Sequence, residues 1–205
     1  MGAPGLTSPI RRETYEKLQL NAGMFIKNFE YSAIADADAL KTALAAKISA
    51  DEDILGATRG GGTFNVTREM REPDVDGKRY SFKGGRFVDS TDANLTTTLI
   101  ESSPDNFVLA LGSATKTVSG KKTTVTMHTA LTDEDYLTNL CWIGDISDGR
   151  LVLICLKNAL NTADFAFTFT DKGEGTYNVE FHAHQEDVND YDTAPFEIVY
   201  FDKAT

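Results

Sequence analysis

The sequence predicts a mainly β protein, a sandwich or partly closed barrel of antiparallel strands with one flanking α-helix. Three observations predict it. Alternation of apolar and polar residues, the signature of a half-buried strand, recurs from Phe64 to the C-terminus. Only one long segment, around Leu40, Leu44 and Ile48, carries helical spacing. Glycine-rich turns separate the alternating runs, as in folds built from hairpins.

Taken in order, residues 1–21 read as an N-terminal arm. Gly2, Pro4, Gly5, Ser8 and Pro9 discourage regular structure, and residues 11–20 could form a short helix or an extended piece. Residues 22–205 read as a single β domain. Gly23 opens a strand-like apolar stretch over residues 24–29. The helix follows, capped by Asp36 or Asp38 and ending near Asp51 and Gly56. A shorter helix is expected from Ser103-Pro104 to Leu111, with proline in its first turn and Gly112 after its last.

The remaining segments read as strands. Phe64 and Val66 alternate with Asn65 and Thr67. Leu95, Thr97 and Leu99 alternate with Asn94, Thr96 and Thr98. Val125 and Met127 alternate with threonines and His128. Residues 151–156 are apolar on both faces, which predicts a central strand. Phe165, Phe167 and Phe169 share one face, and Tyr177, Val179, Phe181 and Ala183 share another. The turn Lys172-Gly-Glu-Gly175 between them predicts a hairpin. Residues 196–201 predict the last strand.

The 205 residues, 41% hydrophobic and 25% charged, suffice for a core without covalent staples. The formal charge of -11 argues against a surface built to grip phosphates. Cys141 and Cys155 read as buried, reduced thiols of a protein made in the cytosol, with a disulfide between them as the alternative. Arg11 and Arg12 are not followed by the apolar stretch of a secretory signal, and no apolar run is long enough to span a bilayer.

Motifs that could carry chemistry are incomplete. Residues 56–63 approach a phosphate loop, but Gly62 stands where its lysine belongs and a strand is expected to follow. His182 and His184 would share a strand face with Glu180 and Glu186, a set able to hold a transition metal. This pair also resembles the histidine motif of cupins, which leaves a cupin-like metal-dependent enzyme as an alternative of another class. The downstream glutamate and third histidine of that motif are missing. Residues 187–192 and 133–135 are acidic, but neither is a calcium loop of EF-hand type. A carbohydrate-binding sandwich would need exposed aromatic rings, whereas most Phe and Tyr fall on expected core faces. No cofactor is expected, and no enzymatic activity.

The order and spacing of several segments carry a family resemblance. They are Leu55-Gly-Ala-Thr-Arg-Gly-Gly61, Arg71-Glu-Pro-Asp-Val-Asp-Gly77, Phe82-Lys-Gly84 and Leu95-Thr-Thr-Thr-Leu-Ile-Glu101. Later come Lys157-Asn-Ala-Leu160, Asp171-Lys-Gly-Glu-Gly175, Val179-Glu-Phe-His-Ala-His184 and Pro195-Phe-Glu-Ile198. With the opening Leu18-Gln-Leu-Asn-Ala-Gly23, these resemble the major tail-tube proteins of long-tailed, non-contractile bacteriophages and prophages. Residues 113–135 match least well.

The resemblance implies a phage tail-tube-like fold and a structural virion protein made in the bacterial cytoplasm. Its copies would form stacked hexameric rings around a channel that DNA traverses without specific binding. The inner sheets would join edge to edge. Its partners would be itself and other tail proteins, such as a tape measure and a tail terminator, with no membrane. Within that frame, the charged, glycine-containing residues 67–89 would form a protruding hairpin. Arg71, Glu72, Asp74, Asp76 and Arg79 would make ring-to-ring contacts, and the N-terminal arm would order on assembly. Asn94, Thr96 and Thr98 would face the lumen. The tube subunit of a contractile tail, a bacteriocin or a type VI secretion system is the alternative within the same architecture.

Overall fold

The computed structural model describes residues 12–189 and 192–204; the part of the expected N-terminal arm before Arg12 lies outside them. In chain order the elements are α1 (Arg12–Tyr15), β1 (Met24–Lys27), α2 (Ala37–Ala50), β2 (Thr58–Arg71), β3 (Phe87–Leu99) and α3 (Pro104–Leu111). There follow β4 (Ala114–Ser119), β5 (Lys122–Met127), a 3-10 turn (Asp133–Asp135), β6 (Leu137–Asp145), β7 (Leu151–Asn161), β8 (Tyr177–His182) and β9 (Phe196–Phe201).

The strands pair antiparallel throughout. One layer runs β1-β6-β7, with β9 on the far side of the first half of β7. The last residues of β7, Leu160 and Asn161, pair with β8, which continues into β3 and β2. Strand β7 therefore belongs to both layers, as its apolar run requires. Leu151, Leu153 and Cys155 pack under α2 with Ile26, Leu40, Leu44 and Phe201. Leu156 and Ala159 pack between the layers with Phe25, Leu95, Val179 and Phe181. A strand with apolar partners on both sides must be apolar on both sides.

The helices end where their caps place them. The Asp36 carboxylate accepts hydrogen bonds from the backbone of Asp38 (3.1 Å) and Ala39 (2.8 Å), satisfying donors that the first turn of α2 leaves free. Asp51 ends α2 in the left-handed region at φ 52°. The expected apolar stripe is shorter than its spacing suggested. Leu40 and Leu44 are buried, but Ile48 is 55% exposed. In α3, Ser103 caps the first turn and Gly112, at φ 71°, ends the last. Asn106, buried on this helix, donates to the carbonyls of Leu55 (2.9 Å) and Glu101 (3.3 Å), tying α3 to the neck of β2.

The expected hairpin over residues 165–183 does not form as a ladder. Only one bridge, Thr168 to Thr176, joins its arms, and β8 starts at Tyr177. Aromatic packing prevails over alternation here. Phe165 and Phe167 stand edge-on to Phe107 of α3, at centroid distances of 5.8 and 5.6 Å, and Phe167 also meets Tyr177. Phe169, expected on the same core face, is 76% exposed. The strand expected around Val125 and Met127 exists as β5, but among the described residues it pairs only with β4, in a separate two-stranded ribbon.

Candidate functional site

Two surfaces stand out, and both belong to β2, β3 and β8. The first is the outer face of that sheet. Side chains alternate along a strand, so Leu95, Thr97 and Leu99 point to the core while Asn94, Thr96 and Thr98 point away from it. The register extends this row. Thr96 lies opposite Thr63 and Glu180, Asn94 opposite Asn65 and His182, and Thr98 opposite Arg59 and Asn178. Asp92 and Thr67, then Ser90 and Glu69, continue the face along the hairpin. These thirteen positions include three carboxylates, one histidine and one arginine, Arg59, whose charge is met by Glu174 at 2.6 Å.

The face is held by hydrogen bonds within itself. Asn94 Nδ2 donates to Glu180 Oε1 (3.1 Å), Thr98 Oγ1 to Asn178 Oδ1 (2.8 Å), and Ser90 Oγ to Glu69 Oε2 (3.1 Å). His182 sits between two carboxylates, with Nδ1 2.8 Å from Asp92 and Nε2 3.2 Å from Glu180. Asn94, expected as an open lumen residue, is itself largely covered by this network. The sequence pattern found the three residues of β3; it missed β8, whose contribution depends on a pairing between segments far apart in the chain.

The second surface is the arm. β3 pairs with β8 only from Asn94 to Leu99, whereas its pairing with β2 continues to Arg71↔Phe87. Among the described residues, 67–71 and 87–91 thus pair only with each other and carry residues 72–86 as a tip, the protruding hairpin expected from the sequence. Arg71 pairs with Asp89 (2.7 Å) and stacks over Phe87. Glu72 accepts from Lys78 and from Ser81 (2.9 Å), and Arg86 lies 3.8 Å away. These bonds, that from Lys78 foremost, hold its carboxyl below the usual range. Glu72 is therefore the knot that shapes the tip, while Asp74, Asp76 and Arg79 stand exposed on it. The arm also exposes Met70, Val75, Tyr80, Phe82, Phe87 and Val88, each more than half accessible. Charge and glycine mark this hairpin in the sequence; its apolar side chains do not stand out there because no alternation marks them.

Glycine makes the junction between sheet and core. Gly60 and Gly61 have φ of 78° and 77°, forming a bulge that shifts the register between Arg59 and Gly62. The near-phosphate-loop is this bulge, and a strand follows it. A Cβ at Gly62 would sit 2.7 Å from the Thr96 carbonyl and 2.8 Å from the Phe25 ring, so the close approach of β2 to the core requires glycine there.

The histidine pair does not converge. β8 ends at His182, which binds Asp92 and Glu180. His184 instead has Nδ1 3.0 Å from the Asn158 carbonyl and its ring edge-on to Tyr136. Among the described residues no cluster of three His, Cys, Asp or Glu side chains could hold a metal ion.

The fold and these surfaces define a mainly antiparallel β protein with an exposed polar sheet face and a protruding hairpin. No family model matches the sequence, and no curated protein matches it. Among solved structures the chain is similar to one in the virion of a native gene transfer agent particle. Identity is 11% and the TM-score 0.41, over 82% of this chain and 95% of that one. A likeness at that level carries no argument about function.

Proposed function

We propose that this chain is a structural virion protein, the subunit of a phage-type tail tube that works by assembling with copies of itself. The observation that carries the reading is the unfinished state of the β2-β3-β8 layer. Among the described residues β2 pairs only with β3 and β9 only with β7, so two strand edges keep unpaired backbone groups. Such edges are a liability in a monomer and an asset in a ring, where a neighbour completes them.

In this reading copies join edge to edge into hexameric rings, and the outer face with Thr96, Thr98 and Glu180 lines the channel. A wall of hydroxyls, amides and carboxylates whose one arginine, Arg59, is already paired with Glu174 offers DNA few counter-charges, so a polyanion passes without being held. The arm, with its exposed rings and Asp74, Asp76 and Arg79, reaches the next ring; a head-to-tail contact of this kind propagates into a filament. An exposed apolar patch on an otherwise acidic chain fits a contact surface. The family resemblance points the same way. A contractile-type tube would use the same architecture, and a neighbouring sheath gene would favour it.

Electron microscopy of the concentrated chain tests the proposal, alongside a variant with residues 73–85 replaced by a short glycine turn. Tubes or stacked rings are expected for the intact chain, and isolated rings or monomers for the shortened one. A shortened chain that forms tubes as readily removes the arm from the contact. An intact chain that stays monomeric at every concentration, even when seeded with tail tips, overturns the reading.

A further inference from the structure

Cys141 and Cys155 lie directly opposite each other on the adjacent antiparallel strands β6 and β7, both wholly buried beneath α2. Their sulfurs are 3.0 Å apart, and the Cys141 thiol donates to the Cys155 sulfur. We infer that this pair is a covalent modification site: a cross-strand disulfide that joins β6 to β7 when the protein meets an oxidising medium. The inference is independent of what the chain assembles into.

The geometry asks little of the backbone. A disulfide needs sulfurs about 2.05 Å apart, so closing the pair takes roughly one ångström of side-chain rotation between strands already in register. The pair is also polarised. The hydrogen bond from Cys141 holds the Cys155 thiol below its ordinary range in spite of burial, and the same bond, with burial, pushes Cys141 up. As the acceptor of that hydrogen bond, Cys155 is the better placed of the two to attack, since the thiolate is the attacking species. On the far side of Cys155 its register partner on β9 is Glu197, which accepts from the Tyr31 hydroxyl (3.1 Å) and from Lys157. That charged cluster borders the thiols and leads to the surface.

The oxidant is a low-molecular-weight disulfide such as oxidised glutathione. The Cys155 thiolate attacks one sulfur and expels one glutathione thiolate. Cys141, losing its proton, attacks the Cys155 sulfur of the mixed disulfide and expels the second. One disulfide and two thiols become one disulfide and two thiols, and the two cysteine protons finish on the released glutathione. Because α2 covers both sulfurs, exchange is slow in the folded chain and fast during refolding.

The test is refolding of the full chain from denaturant in a glutathione buffer, followed by non-reducing tryptic mapping. Trypsin cuts after Arg150, between the two cysteines, so the linkage is read as one species that holds the peptides ending at Arg150 and at Lys157. The expected result is that species within a single chain, an intact mass lower by two hydrogens, and a Tm raised by roughly 5–10 °C over the reduced protein. Cys141→Ser and Cys155→Ser should each abolish the difference between oxidising and reducing conditions; the wild-type map decides alone if either fails to fold. Two free thiols after refolding, glutathione retained on one cysteine, or a link between chains would overturn the inference.

Discussion

The two layers of this protein are built from the same kind of strand and end in opposite conditions. The β1-β6-β7-β9 layer is covered on one side by α2 and on the other by its sister sheet, so nearly every side chain of the first half of β7 is buried. The β2-β3-β8 layer is covered on one side only, and its hairpin leaves the body altogether. The first layer has both faces covered by its own chain, with an open edge at β9. The second has a finished inner face, a self-bonded polar outer face and an open edge. Both layers contribute to the core, but the surfaces proposed for assembly reside in the second.

The largest effect that would sharpen this contrast comes from Leu153→Ala at the centre of the covered layer. It removes a fully buried side chain from among Leu40, Ile143 and Phe201. Urea denaturation should show a loss of about 2–5 kcal/mol. A loss no larger than that of a surface substitution would break the comparison. Next comes Asn106→Ala, which leaves the Leu55 carbonyl without its side-chain donor, while the Glu101 carbonyl keeps the one from Tyr177. Its expected cost is about 1–3 kcal/mol by the same measurement.

The smallest effect belongs to the arm and depends on pH. Glu72 has a folded-state pKa below its unfolded value, so its contribution is present above the unfolded value and is lost as pH falls through the folded one. Acidification below roughly pH 4 should therefore loosen residues 72–86 while the covered layer stays folded. Hydrogen exchange by mass spectrometry reads both regions at once. Protection lost together in the arm and in β7 would contradict the separation of the two layers, and Glu72→Gln should loosen the tip at neutral pH.

Much of this architecture was legible in the sequence because it depends on local chemistry. Ser103, Pro104 and Gly112 bound α3 where the capping pattern placed it, and Asp36 starts α2. The alternation of Leu95, Thr97 and Leu99 with Asn94, Thr96 and Thr98 specified which residues share a face. The phenylalanine run at 165–169 misled because alternation marks a face without specifying a partner. With Phe107 and Tyr177 within reach, rings gained more by packing edge-on than by extending a ladder.

Taken alone, the amino-acid sequence determined the fold class, the caps of both main helices, the double-sided burial of residues 151–156 and the identity of the polar row on β3. Each follows from interactions between residues within a few positions of one another, or from a simple period. Only the tertiary structure decided that β7 serves both layers, that Glu180 and His182 join Asp92 and Asn94, that Glu72 ties the tip of the arm and that Cys141 meets Cys155. Those contacts join segments distant in the chain, and their register is set by how whole strands bury their apolar faces, which no local pattern encodes.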